Sequence, residues 1–192
     1  MTRRLFNLLT SGLLATLLLT LTLGHAAARA EGVEITQAHL ESSEEGYKLS
    51  ATFAFELKRG LEDVIMRGVP LYFTTDVELT RPRWYWFDEK TVTASQTVRI
   101  SYNVLTRQYH AAILGRLHQS FVTLDDAMSL VRRPSRWVVA ERGALKVGEV
   151  YNVAVRMRLD LAQLPKPFQV HALNSSDWQL SSDWKFFTFK AE

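Results

Sequence analysis

The chain has 192 residues, of which 23 are Lys or Arg, 20 are Asp or Glu and none is Cys. The absence of cysteine excludes a disulfide framework and a lipoprotein anchor. Three of the basic residues (Arg3, Arg4 and Arg29) precede position 31, so the rest of the chain is charge-balanced, which argues against nucleic-acid binding.

The first thirty residues have the pattern of an export signal. Arg3 and Arg4 precede an apolar run from Leu5 to Leu23, and Ala28 and Ala30 are the small residues that a signal peptidase requires. The pattern predicts cleavage after Ala30, export across the membrane and no membrane insertion after cleavage. A retained signal anchor is the alternative, because the apolar run is close to the length of a spanning helix.

The remainder, residues 31–192, is predicted to form a single domain made mostly of strands. Apolar and polar residues alternate with a period of two, which is typical of strands with one buried face. The predicted strands are 33–40, 47–57, 69–80, 91–105, 109–114, 136–140, 149–159, 169–173 and 184–189. Two short helices are predicted at about Leu61 to Arg67 and Leu124 to Arg132, the second with Thr123 as N-cap.

Eight or nine strands separated by turns, with two short helices, predict an antiparallel β-sandwich that is immunoglobulin-like in style. A small β-barrel is the alternative. The connection Leu164-Pro165-Lys166-Pro167 is predicted to be extended and stiff, either as a device that protects a sheet edge or as a preformed epitope for a partner.

The stretch from Leu79 to Glu89 is the most distinctive in the chain, and it is interpreted as a long strand kinked near Pro82. Its aromatic rings are either part of the core or an exposed binding surface. If the alternation continues past Pro82, both tryptophans point away from the core, whereas a bulge there turns them inward. The candidate binding residues are Arg81, Arg83, Trp84, Tyr85, Trp86 and Asp88.

The sequence shows no catalytic or metal-binding pattern. The histidines at His39, His110, His118 and His171 lack the spacing of metal ligands, and no nucleophile elbow or glycine-rich phosphate loop is present. We therefore expect no enzyme activity, no cofactor and no metal site.

Several motifs give the chain a family resemblance. They are Leu61-Glu62-Asp63, Gly68-Val69-Pro70-Leu71, Arg81-Pro82-Arg83-Trp84-Tyr85-Trp86, Ser101-Tyr102-Asn103, Leu105-Thr106-Arg107-Gln108-Tyr109 and Leu164-Pro165-Lys166-Pro167-Phe168-Gln169-Val170. With these motifs the chain resembles the domain-of-unknown-function 4390 family, exported proteins of Gram-negative bacteria. The resemblance implies no established activity and no catalytic residues. It also implies a gene neighbourhood that includes a membrane sensor kinase of the nitrogen-regulation type.

The expected function is a non-catalytic periplasmic interaction domain that binds an envelope protein, with a link to a membrane sensor kinase. The alternative is a glycan- or peptidoglycan-binding module that uses the Trp84-Tyr85-Trp86 cluster as a stacking platform.

Overall fold

The computed structural model describes residues 32–82, 89–173 and 175–192, without the side chains of His171, Leu173 and Ser176. The strands are β1 (Glu34–Ser43), β2 (Gly46–Ala54), β3 (Leu71–Arg81), β4 (Glu89–Asn103), β5 (Gln108–Ile113), β6 (Gln119–Phe121), β7 (Trp137–Ala140), β8 (Val150–Leu159) and β9 (Lys185–Lys190). The α-helices are α1 (Arg59–Met66), α2 (Leu124–Arg132) and α3 (Lys166–Leu173), and 3-10 helices cover Leu161–Gln163 and Ser176–Trp178.

The strands form two antiparallel sheets that pack face to face. One sheet has the order β1-β2-β7 and the other the order β6-β5-β4-β3-β8-β9. The predicted antiparallel β-sandwich is therefore confirmed. The alternative of a small barrel is wrong, because the described strands divide between two sheets and neither sheet closes on itself.

The core lies between the two sheets, and its residues are those that the alternation selects. On β3 the side chains of Leu71, Phe73, Val77 and Leu79 are at most 1% exposed. The sheets meet through aromatic pairs such as Tyr47 with Phe189 at 5.8 Å between ring centroids. Each fully buried side chain of this size stabilises the fold by about 1.5–3 kcal/mol relative to an exposed one.

Two helices close one end of the sandwich. The first, α1, buries Leu61 and Ile65, and α2 buries Ala127, Met128 and Val131. The α2 helix begins at the predicted N-cap, where the Thr123 hydroxyl accepts a hydrogen bond from the backbone N–H of Asp126 at 3.1 Å. Both predicted helices are confirmed within two residues.

The prediction of one long strand from Leu79 to Glu89 is wrong. Arg81 ends β3, Glu89 begins β4, and the two residues are antiparallel partners, so the chain reverses direction between them. A bulge does occur in this hairpin, but it lies in β4, where Thr91 is the extra residue between the pairs Leu79 with Val92 and Thr80 with Lys90.

The prediction for residues 164–173 is also wrong. Lys166–Leu173 is a helix instead of the end of a stiff connector followed by a strand. Leu164 keeps the extended backbone expected before a proline, with φ −70° and ψ 153°. Pro167 lies in the first helical turn, where a missing N–H costs no helical hydrogen bond. The proline pair therefore starts a helix here. Both predicted roles of an extended connector, the protected sheet edge and the preformed epitope, are therefore wrong.

Candidate functional site

Only one of the six predicted binding residues, Arg81, lies among the described residues. Its guanidinium forms an ion pair with Glu89 at 2.5 Å, which joins the last residue of β3 to the first residue of β4. The hydrogen bond with Glu89 raises the pKa of Arg81. Arg81 therefore holds the base of a hairpin. Arg83, Trp84, Tyr85, Trp86 and Asp88 lie outside the described residues, so the aromatic surface stays a prediction.

The outer face of the six-stranded sheet carries a polar network centred on Asp76. Arg156 and Arg158 of β8 donate hydrogen bonds to Asp76 Oδ2 at 3.1 and 3.0 Å, and the Ser95 hydroxyl donates to Oδ1 at 2.9 Å. Burial by itself raises the pKa of Asp76, but these hydrogen bonds and the charge of Arg158 outweigh it. The pKa of Asp76 is therefore lowered below its ordinary value.

Two aromatic residues, Trp184 and Phe186, lie beside this network at the β9 edge of the sheet. The Arg156 guanidinium lies over the Trp184 ring, 4.5 Å from its centroid, in cation–π geometry. Its Nε atom is buried and has no hydrogen-bond partner among the described residues. Phe186 is 71% exposed. Arg156 therefore covers one face of the Trp184 ring, whereas the Phe186 ring is largely exposed.

A cleft of about 300 Å³ opens between α1 and α2, and we call it the helix cleft. Its walls combine apolar side chains with three charged ones. The lining residues are Leu57, Glu62, Met66, Tyr109, Leu124, Asp125, Met128 and Arg132. Both helices contribute because each buries only one face in the core and leaves the adjoining residues at the cleft.

The charges in the helix cleft do not cancel. Arg132 forms an ion pair with Asp125 and lies 5.5 Å from the centroid of the Phe55 ring. Glu62 has no ion-pair partner among the described residues. Burial raises the pKa of Tyr109, and the charges of Tyr102 and Glu62 raise it further. The helix cleft thus keeps one negative charge beside an apolar surface.

Three exposed apolar side chains lie at the end of the six-stranded sheet that carries the helix cleft, and we call them the apolar rim: Met66, Leu105 and Val122. They are 46%, 94% and 80% exposed. Met66 lines the cleft itself, and Leu105 lies in the turn between β4 and β5, which carry the tilted ring pair of Tyr102 and Tyr109 with centroids 4.8 Å apart. Val122 follows Phe121, the strand partner of Tyr109. The rim therefore lies at the same end of the sheet as the cleft.

Two histidines that are distant in the sequence lie side by side, His110 on β5 and His118 immediately before β6. The ring centroids of His110 and His118 are 4.8 Å apart, and the ring planes differ by 18°. Their spacing along the chain gives no sign of this contact, which tertiary structure creates. In the part of the chain that the structure describes, no group of three His, Asp or Glu residues could hold a metal ion.

A family model described as Domain of unknown function (DUF4390) matches residues 30–188. The chain belongs to this family. The suspected resemblance is confirmed over almost the whole domain, and the DUF4390 description names no activity. Comparisons with curated proteins and with solved structures found no match.

No helix in the described part of this DUF4390 protein is long and apolar enough to cross a membrane.

Sequence reasoning missed the helix cleft and the Asp76 network for the same reason. The alternation along β8 already places Arg156 and Arg158 on one face, opposite the buried Val155 and Met157. Their partner Asp76 is distant in sequence and becomes adjacent only because β3 pairs with β8. Likewise, no local pattern links α1 to α2, so their cleft depends on tertiary packing.

Proposed function

We propose that this protein is a non-catalytic interaction domain of the periplasm that binds another envelope protein through the helix cleft and the apolar rim. The export pattern around Arg3, Arg4, Ala28 and Ala30 supports the compartment. The neighbourhood implied by the family resemblance makes a membrane sensor kinase the first partner to test.

The observation that carries this proposal is the juxtaposition of a concave site with exposed apolar side chains. Contiguous exposed apolar surface rimmed by polar residues is typical of protein–protein interfaces. Leu105 is 94% exposed and Val122 is 80% exposed, so neither side chain buries enough apolar surface to stabilise the fold appreciably. The helix cleft between α1 and α2 could accept an apolar side chain of a partner against Met66 and Leu124.

The charge of the helix cleft indicates the chemistry of the partner. Because Asp125 and Arg132 neutralise each other, the uncompensated charge is that of Glu62. A partner segment that pairs an apolar anchor with a neighbouring Lys or Arg would satisfy both parts of the site. Such a contact is selective, since an acidic segment would place like charges together.

The test is photo-crosslinking in living cells that express the full chain. A photoreactive amino acid at position 66 is expected to capture one envelope protein. The control is position 147, where Val147 is 76% exposed and precedes β8 at the other end of the six-stranded sheet. We expect no product from the control position.

Charge reversal then separates a specific complex from a chance encounter. Glu62→Lys should abolish the product at position 66, whereas Asp63→Lys should retain it, because Asp63 is exposed on α1 but does not line the cleft. Equal products from positions 66 and 147, or equal effects of the two reversals, would refute the proposal.

A further inference from the structure

The stacked pair of His110 and His118 has no role in the proposed protein contact, because it lies on the outer face of the sheet and does not line the helix cleft. His110 is on β5, opposite Ser120 of β6, and His118 lies two residues before Ser120. Residues two apart share a face of a strand, so both rings project to the same side. The strand pairing therefore holds the two imidazoles together.

The ring nitrogens of this pair are not used by the fold. Among the described residues, neither His110 nor His118 has a hydrogen-bond or ion-pair partner besides the ring contact itself. His110 is half-buried and His118 is exposed. Their nitrogen lone pairs are therefore not taken up by other side chains of the described residues and are available to a ligand.

The spacing of the rings suits a shared metal ion. With metal–nitrogen distances of about 2.1 Å, two imidazoles in neighbouring coordination positions have ring centroids about 5 Å apart. The observed separation is 4.8 Å, but the stacked rings differ by only 18° in plane, so their in-plane lone pairs do not converge until one ring turns. Because His118 is exposed, rotation about its side-chain bonds can direct a nitrogen toward the same point as His110.

We propose that His110 and His118 bind one late first-row divalent metal ion, with water in the remaining coordination positions. Imidazole is a ligand for Zn²⁺, Ni²⁺ and Cu²⁺, whereas Ca²⁺ and Mg²⁺ take oxygen ligands. With two protein ligands the ion stays open to water or to a further ligand. This inference does not rest on the proposed protein contact, because neither histidine lines the helix cleft or belongs to the apolar rim.

The test is calorimetric titration of the full chain with Zn²⁺ and Cu²⁺ in a non-coordinating buffer. We expect one ion per chain for the wild type and at least about tenfold weaker binding for His110→Gln and for His118→Gln. The matched control is His39→Gln, since His39 is exposed on β1 and makes no ring contact with another histidine in the described residues. It should bind as the wild type does.

Two further measurements keep the result interpretable. Zn²⁺ should raise the unfolding temperature of the wild type and of His39→Gln but not of the other two variants. The Cu²⁺ complex should show two nitrogen donors by electron paramagnetic resonance. If His110→Gln fails to fold, the exposed His118→Gln carries the test alone. Absence of stoichiometric binding, or equal binding by all three variants, would overturn the proposal.

Discussion

At the scale of single residues, Asp76 shows how one carboxylate organises a sheet face. Isolated surface ion pairs contribute about 0–1 kcal/mol because water screens them. Asp76 differs, since its side chain is only 15% exposed and it accepts hydrogen bonds from Ser95, Arg156 and Arg158. Charge-assisted hydrogen bonds of this kind are stronger than neutral ones. The network therefore joins β3, β4 and β8 by side chains as well as by backbone pairing.

We predict that Asp76→Asn lowers the free energy of unfolding by about 1–3 kcal/mol at pH 7. The folded protein lowers the pKa of Asp76 below its ordinary value of 3.8. The carboxylate thus contributes stability above that value and loses it as the pH falls toward the lower pKa of the folded state. The difference in the free energy of unfolding between wild type and variant should therefore become smaller below about pH 4. Urea unfolding at a series of pH values measures this difference.

The control for that prediction is Asp63→Asn, because Asp63 is exposed on α1. It should change the free energy of unfolding by less than about 0.5 kcal/mol. A difference for Asp76→Asn that stays constant from pH 7 to pH 2 would contradict the electrostatic explanation.

At the scale of elements, the β1–β2 hairpin depends on a single glycine. Ser43 and Gly46 are the last pair before a two-residue turn, and the Ser43 hydroxyl donates a hydrogen bond to the Gly46 carbonyl at 2.8 Å. Gly46 has φ +131°, and a Cβ atom there would lie 2.2 Å from the carbonyl oxygen of Ala140. Only glycine lets β7 approach β2 this closely.

We predict that Gly46→Ala destabilises the protein by about 3 kcal/mol or more, because both the backbone angle and the contact with β7 are unfavourable. Gly148→Ala separates the two causes. Gly148 has φ +86° but nothing within 4 Å of its Cβ position, so its replacement should cost about 1 kcal/mol. Equal losses for the two variants in urea unfolding would show that the contact with Ala140 is unimportant.

At the scale of the whole molecule, α1 has two separate tasks. Ile65 is completely buried and closes the end of the core, whereas its neighbour Met66 is 46% exposed and lines the helix cleft. The turn of the helix points consecutive residues in different directions, so one element contributes to both stability and the proposed binding surface.

We predict that Ile65→Ala lowers the free energy of unfolding by about 2–4 kcal/mol through loss of buried surface and formation of a cavity. Met66→Ala should change it by less than about 0.5 kcal/mol but weaken the proposed complex. Denaturant unfolding measures the first effect, and crosslinking from position 122 in the rim measures the second. A large stability loss in Met66→Ala would show that this side chain belongs to the core.

The amino-acid sequence by itself determined the fold class and most element positions. The period of two identified eight strands, including the buried face of β3. A strand with one buried face needs apolar residues at every second position, so this signal is local in the sequence. Capping chemistry placed α2 at Leu124–Arg132 for a similarly local reason. The family also followed from local motifs, and the match to residues 30–188 confirmed it.

Tertiary structure alone decided which distant residues meet. Asp76 reaches its arginines only through the pairing of β3 with β8, and His110 reaches His118 only because the three-residue strand β6, which was not predicted, returns beside β5. Strand order is set by the packing of the entire core, so no local pattern encodes it. The helix at Lys166–Leu173 was missed because two closely spaced prolines are also typical of an extended connector. Only the structure shows that Pro167 lies in the first turn of a helix.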